Sequence, residues 1–210
     1  MATLLINAHP KPHSSSYTQK MQNYFIEQWQ RLNSNEKMTI INLSEIDIPS
    51  LDGSMLNLFS KQIAGLKLDD LEQDLMIRMN QILLQFKAHH RIVIAMPMHN
   101  FNITAKLKDY MDNILIARET FRYTENGSIG LMTDDRKVFL LQSSGGIYVD
   151  HERYTPLEFS QMYLREMFTN IMGFDKFYIA RAQGTAIRSE IDVLVEGFEM
   201  IDSQLVDFCQ

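Results

Sequence analysis

Residues 91–102 read RIVIAMPMHNFN, and this stretch decides the fold that the sequence predicts. Its first half is apolar without polar alternation, which is typical of a strand covered on both faces in a parallel sheet. Its second half opens with proline and turns polar, so it predicts a loop at the carboxyl end of that strand. Four further runs of the same kind predict the remaining strands: Thr3–Ala8, Met38–Leu43, Lys137–Gln142 and Asp175–Ala182.

Amphipathic segments of helical length separate these strands. They are Tyr17–Leu32, Asp69–Lys87, Ile103–Ala117, Thr155–Ile171 and Ser189–Phe208. The fourth opens with Thr155-Pro156-Leu157-Glu158, which fits a capping box with proline at the first helical position. The alternation requires right-handed crossovers, and it predicts an α/β fold in which helices cover both faces of a five-stranded parallel sheet.

Two segments do not fit the alternation. Residues 44–68 contain Pro49, Gly53 and Gly65, and we expect an irregular excursion there. Residues 119–134 carry Asn126-Gly127 between two short apolar runs, which predicts a β-hairpin outside the main sheet.

Length and composition narrow the class of protein. The 210 residues predict one domain spanning 1–210. Twenty basic against twenty-six acidic residues give a net charge of −6, which argues against nucleic acid as a partner. Cys209 is the single cysteine, so a disulfide framework and a cysteine zinc site are excluded, and we expect no metal. No apolar run is long enough to span a bilayer, and residues 1–8 lack a basic leader, so we expect a cytoplasmic protein without a membrane partner.

Three polar loops follow strands of the predicted sheet: His9–Thr18, Pro97–Asn102 and Ser143–Tyr148. Ligands of open parallel sheets bind beyond the carboxyl ends of the strands, so these loops form the candidate site. The first loop offers an imidazole and several hydroxyls just before a helix, where free N–H groups and the helix dipole attract a phosphate. A serine-rich N-cap without a ligand is the alternative. GxGxxG and GxxxxGK[ST] are missing, which argues against a common dinucleotide fold and a P-loop NTPase.

The other two loops suit a flat heteroaromatic ring. Residues 98–102 offer backbone groups, amides and aromatic surface but no nucleophile or acid–base pair. Gly145-Gly146 lets a ring approach the backbone closely, although a tight turn alone would also explain the glycine pair. A phosphate cradle with two backbone walls predicts a flavin mononucleotide (FMN) site.

At these loops the sequence resembles the flavodoxin-like family of FMN-dependent NADH azoreductases and NAD(P)H quinone oxidoreductases. The resemblance is carried by residues 97–103 (PMHNFNI), 107–112 (LKDYMD), 121–127 (FRYTENG) and 143–148 (SSGGIY), and it extends over nearly the whole chain. It implies a homodimer with one FMN per subunit, at a site that the neighbouring chain completes.

The resemblance also implies roles for individual residues. The phosphate ligands would be His9, Ser16, Tyr17 and Thr18. The isoalloxazine would be lined by Pro97, Met98, His99, Asn100 and Phe101. The remaining cofactor contacts would come from Ser143, Ser144, Gly145, Gly146 and Tyr148. A planar acceptor would lie between Phe101 and the hairpin residues Phe121 and Tyr123; packing of the two hairpin rings on their own subunit is the alternative.

The implied reaction is a two-electron, ping-pong hydride transfer from NADH or NADPH to a quinone or azo compound. The flavin carries the chemistry, so no catalytic protein residue is expected. Two alternatives stay open: a flavodoxin-like FMN electron carrier without a small-molecule substrate, and a dimeric interaction module that has lost the flavin. Yellow cofactor in the purified protein and NADH oxidation with menadione discriminate among them.

Overall fold

The computed structural model describes residues 2–210, and a parallel sheet forms its centre. In chain order the strands are β1 (Thr3–Asn7), β2 (Met38–Asn42), β3 (Arg91–Pro97), β4 (Phe121–Thr124), β5 (Gly127–Gly130), β6 (Lys137–Ser144) and β7 (Lys176–Gln183). Five of them form the main sheet in the order β2-β1-β3-β6-β7, and every neighbouring pair is parallel. The predicted strands and fold class are therefore confirmed.

Helices cover both faces of the sheet. They are α1 (Tyr17–Leu32), α2 (Gly53–Ile63), α3 (Asp70–Lys87), α4 (Ala105–Ile114), α5 (Phe159–Arg165) and α6 (Glu190–Cys209). Strand residues alternate between two apolar layers: Leu4 and Ile6 pack toward α3, α4 and α5, whereas Leu5 packs toward α1 and α6. Because both faces are covered, the strands carry apolar residues on both sides, and this explains their continuous apolar runs.

The excursion at residues 44–68 is not irregular throughout, because α2 lies within it. The Asp52 carboxylate caps this helix by accepting from Ser54 N at 2.9 Å and Met55 N at 3.0 Å. Only Met55 and Leu58 of the helix are buried. The prediction was wrong here because Gly53, read as a breaker, stands at the permissive first helical position.

The predicted helix over Thr155–Ile171 is also corrected. A 3₁₀ turn at Thr155–Leu157 precedes α5, and a π-helical segment, Glu166–Met172, follows it. The capping box does not form because both of its side chains are used elsewhere. Thr155 Oγ1 donates to Tyr148 O at 2.6 Å, and Glu158 accepts from Arg181 at 3.2 Å.

The hairpin of β4 and β5 is antiparallel, as predicted, and it is anchored at the amino-terminal edge of the main sheet. Lys87, which ends α3 just before β3, pairs with Glu119 at 2.7 Å. Met132 N donates to Met172 O at 2.9 Å, just before β7 begins. The hairpin is therefore fixed at the end of the sheet opposite the three polar loops.

Candidate functional site

The first loop wraps over the amino terminus of α1 and is held by Asn7, the last residue of β1. Asn7 Oδ1 accepts from His9 N at 3.1 Å and from Gln19 Nε2 at 3.0 Å. Ser16 is the N-cap of α1, and its hydroxyl accepts from Gln19 N at 3.4 Å. The first backbone N–H groups of a helix have no partner within the helix, so those of α1 can donate to an anion.

Two side chains of this loop are suited to a phosphate. Ser14 Oγ is buried and makes no hydrogen bond within residues 2–210. His9 Nδ1 accepts from Lys11 N at 3.0 Å, so the ring proton of the neutral imidazole lies on Nε2, ready to donate. Partial burial of His9 lowers its pKa, which favours that neutral form. The loop thus offers donors in a fixed arrangement.

The second loop is a strained turn after β3. Asn100 and Phe101 have φ angles of 46° and 65°, a left-handed conformation that costs on the order of 1–3 kcal/mol for residues other than glycine. Paired hydrogen bonds of 2.9 and 3.0 Å between the backbones of His99 and Asn102 hold the turn, and Phe159 N donates to Phe101 O at 3.1 Å. The Phe101 ring is left 41% exposed at this edge.

The third loop is joined to the other two. Thr18 Oγ1 and Ser143 Oγ lie 2.6 Å apart, which links the first turn of α1 to the end of β6. Met98 N donates to Ser143 O at 2.7 Å, so the second loop meets the same residue. Ser144 Oγ donates to Gly146 O at 2.9 Å. The three loops therefore form one continuous surface at the carboxyl edge of β1, β3 and β6.

The glycine pair in the third loop is not required by the protein itself. A Cβ on Gly145 would meet only the Ala186 methyl group, at 3.7 Å, and a Cβ on Gly146 would meet the Tyr148 ring at 3.4 Å. Neither glycine adopts the left-handed φ that favours glycine. The two glycines therefore leave open space beside this backbone, which a flat ligand could fill.

The structure brings the predicted cofactor residues to this edge and separates the predicted hairpin residues from it. Phe121 and Tyr123 do share a face, with ring centroids 5.2 Å apart, but Phe121 is buried and Tyr123 is 75% exposed on the distant hairpin.

Tyr17 packs its side chain toward the α1 and α6 layer, so it offers the loop its backbone N–H. Sequence reasoning missed the organising role of Asn7, although it is the polar residue that ends the otherwise mostly apolar run TLLIN.

The sheet order and the phosphate-type cradle at the first strand–helix connection define a flavodoxin-like, mononucleotide-binding class of protein. The sequence profile described as Flavodoxin-like fold matches residues 1–204. The chain belongs to this family, and relatives at 46–53% identity place it among the FMN-dependent NADH:quinone oxidoreductases. Within residues 2–210, the helices all lack the combination of length and apolarity needed to cross a membrane.

Similar proteins cover almost the whole chain. FMN-dependent NADH:quinone oxidoreductase 1 of Lactiplantibacillus plantarum is 53% identical over 184 residues, which is 87% of this chain and 86% of that protein. Its counterpart in Bacillus cereus is 46% identical over 202 residues, covering 95% and 94%. The crystal structure of an FMN-dependent NADH-azoreductase from Bacillus anthracis in complex with FMN superimposes with a TM-score of 0.95, at 44% identity and full coverage of both chains.

Proposed function

We propose that this protein is an FMN-dependent NADH oxidoreductase that reduces quinones and azo compounds. The observation that carries the proposal is the anion cradle in the loop that leads into α1, where the Ser14 hydroxyl has no partner among residues 2–210. Relatives at 46–53% identity are named for NADH:quinone oxidoreduction, and the similar crystal structure holds FMN. An FMN phosphate bound in this cradle, with the NADH:quinone oxidoreduction of the relatives, explains the arrangement of donors.

The residues present fit FMN. The phosphate would be held by Ser14, Ser16, His9 Nε2 and the first backbone N–H groups of α1. The planar ring would lie against the backbone of residues 98–101 and 143–146. FMN, when bound, supplies the two-electron redox chemistry, and the protein supplies binding and orientation. A cradle at a helix terminus suits a terminal phosphate and therefore favours FMN over FAD.

The chain's own groups act by positioning. The strained turn at Asn100 and Phe101 holds backbone groups rigidly against the ring position. The half-exposed Phe101 ring gives the nicotinamide donor and the planar acceptor a common stacking surface. One shared surface means that donor and acceptor bind in turn, which predicts ping-pong kinetics.

The proposed enzyme is a homodimer, and each subunit is a single FMN-binding domain spanning residues 1–210. The segment around α2 exposes several large apolar side chains: Leu51 (50%), Leu56 (55%), Ile63 (90%) and Leu66 (60%). Apolar clusters of this kind favour a protein–protein interface. Because the hairpin is anchored away from its own flavin loops, Tyr123 would reach a flavin only across such an interface. We place the enzyme in the cytoplasm, where the free Cys209 thiol is kept reduced.

Two measurements test the proposed function. Mass analysis of heat-released cofactor should give FMN, and predominant FAD or no flavin would contradict the cofactor assignment. Initial rates with NADH and menadione, and with NADH and an azo dye, should give parallel double-reciprocal lines. Intersecting lines would contradict the shared surface, and no turnover with any quinone or azo dye would favour an electron carrier. Sedimentation velocity tests the dimer in the same preparation.

A further inference from the structure

A row of rings leads away from the flavin loops along the segment that follows Gly146. The Phe101 and Tyr148 centroids are 6.2 Å apart, edge to face, and Tyr148 lies 5.9 Å from Tyr154. Tyr154 also contacts the His151 ring at 4.8 Å, and the Arg153 guanidinium lies 5.5 Å above its centroid. We call the four residues Tyr148, His151, Arg153 and Tyr154 the aromatic arm.

Hydrogen bonds hold the arm in one conformation although His151 and Arg153 are exposed and the two tyrosines are half-buried. Tyr148 N donates to Gln183 Oε1 at 3.0 Å, which ties the arm to β7. Thr155 Oγ1 donates to Tyr148 O at 2.6 Å and accepts from His151 N at 2.9 Å. Tyr154 N donates back to His151 O at 3.2 Å. A surface held in this way binds a ligand with little further loss of conformational entropy.

The two basic residues of the arm alternate along the chain with the acidic Asp150 and Glu152, so what distinguishes them is that they are unpaired among the described residues. Within residues 2–210, Arg153 and His151 form no ion pair, whereas the neighbouring Glu158 is already paired with Arg181 at 3.2 Å. His151 Nδ1 accepts from Tyr154 N at 3.2 Å, so Nε2 bears a proton in the neutral ring. The arm therefore offers an aromatic face flanked by two donors that attract an anion.

We propose that the aromatic arm is a second subsite, which binds an aromatic ring bearing an anionic group. Tyr154 stacks on the ring, and Arg153 and His151 hold the anion. Two substrate parts share this chemistry: the adenosine diphosphate half of NADH and a sulfonated aryl group of an azo compound. The inference rests on the proposed function, because it assumes that one ring of the same substrate lies at Phe101.

The test uses the FMN-loaded enzyme and the variants Tyr154→Ala and Arg153→Gln. Arg31→Gln is the matched control, since Arg31 is an exposed arginine paired with Glu27 near the end of α1. Rapid-mixing kinetics give the Kd and the limiting rate of flavin reduction for NADH and for reduced nicotinamide mononucleotide, which lacks the adenosine half. Steady-state assays give the KM for an azo dye with and without a sulfonate.

Loss of one stacking or cation–π contact should weaken binding about two- to tenfold at an unchanged limiting rate. A raised Kd for NADH but not for the mononucleotide identifies the adenosine diphosphate half, and a raised KM for the sulfonated dye alone identifies the aryl group. Tyr154→Phe and Arg153→Lys should restore most of the binding. The subsite is refuted if Tyr154→Ala and Arg153→Gln both keep the wild-type Kd and KM values. An equal rise in the Kd for NADH and for reduced nicotinamide mononucleotide also refutes it.

Two further results keep the test decisive. If Tyr154→Ala loses FMN, the exposed Arg153→Gln variant decides the question alone. A wild-type enzyme that binds no FMN or does not oxidise NADH would contradict the proposed function. Unchanged binding constants in the arm variants of an active enzyme would contradict only the subsite.

Discussion

Replacement of Gly145 by alanine should raise the stability of the flavin-free protein and lower its affinity for FMN. The added Cβ would contact only the Ala186 methyl group, at 3.7 Å, which is an ordinary van der Waals distance. Because the backbone of Gly145 is not left-handed, alanine fits and restricts the unfolded chain, which is worth about 0.4–1 kcal/mol. For a protein of this size the Tm of the flavin-free form should rise by about 1–4 °C.

The affinity for FMN should change in the opposite direction. If the ring approaches this backbone, the methyl group overpacks the contact at a cost of about 1–3 kcal/mol, which raises the Kd for FMN roughly 5- to 150-fold. Fluorescence titration of the flavin-free protein measures the Kd, and thermal melts measure stability. Gly53→Ala is the control, because its Cβ would meet nothing within 4 Å. A wild-type Kd for Gly145→Ala would show that the glycine pair forms only a turn, and a lower Tm would refute the packing argument.

Three further outcomes are expected. Arg91→Met should lower the free energy of unfolding in urea by about 1–3 kcal/mol, because the buried guanidinium donates to Phe208 O at 2.7 Å; an unchanged midpoint would contradict this. The Arg136 hydrogen bond lowers the pKa of Asp134 to about 2, so its stabilisation is present above about pH 4 and is lost as the pH falls toward 2. The free energy of unfolding of Asp134→Asn should therefore fall less steeply in that pH range than that of the wild type. An identical pH dependence in both proteins would argue against a stabilising Asp134–Arg136 pair. Tyr123→Ala should keep FMN and dimer while the quinone KM rises several-fold, as loss of about 0.5–1.5 kcal/mol of stacking implies, and unchanged KM values across quinones would return Tyr123 to simple packing.

The sequence predicted the sheet well because its signals are local. A strand such as Ile92–Met96 must be apolar at every position when both faces are covered, so it can be recognised from its own residues. The loop residues were also predictable, because parallel strands bring their carboxyl ends to one edge. Local signals failed at Thr155 and Glu158, which have capping-box chemistry but bond instead to Tyr148 and Arg181.

The sequence by itself determined the succession of strands and of every helix except α2, the apolar layers and the three polar loops that follow β1, β3 and β6. Only the tertiary structure decided which polar groups find partners. The hydrogen bond between Thr18 and Ser143 joins residues 125 positions apart. In the part of the chain that the structure describes, Ser14 Oγ of the same first loop finds no partner. The hairpin likewise has a local turn signal, but its place at the amino-terminal edge depends on contacts with Lys87 and Met172. Patterns along the chain report burial and local conformation, whereas pairing between distant polar groups depends on how the packed elements meet in space.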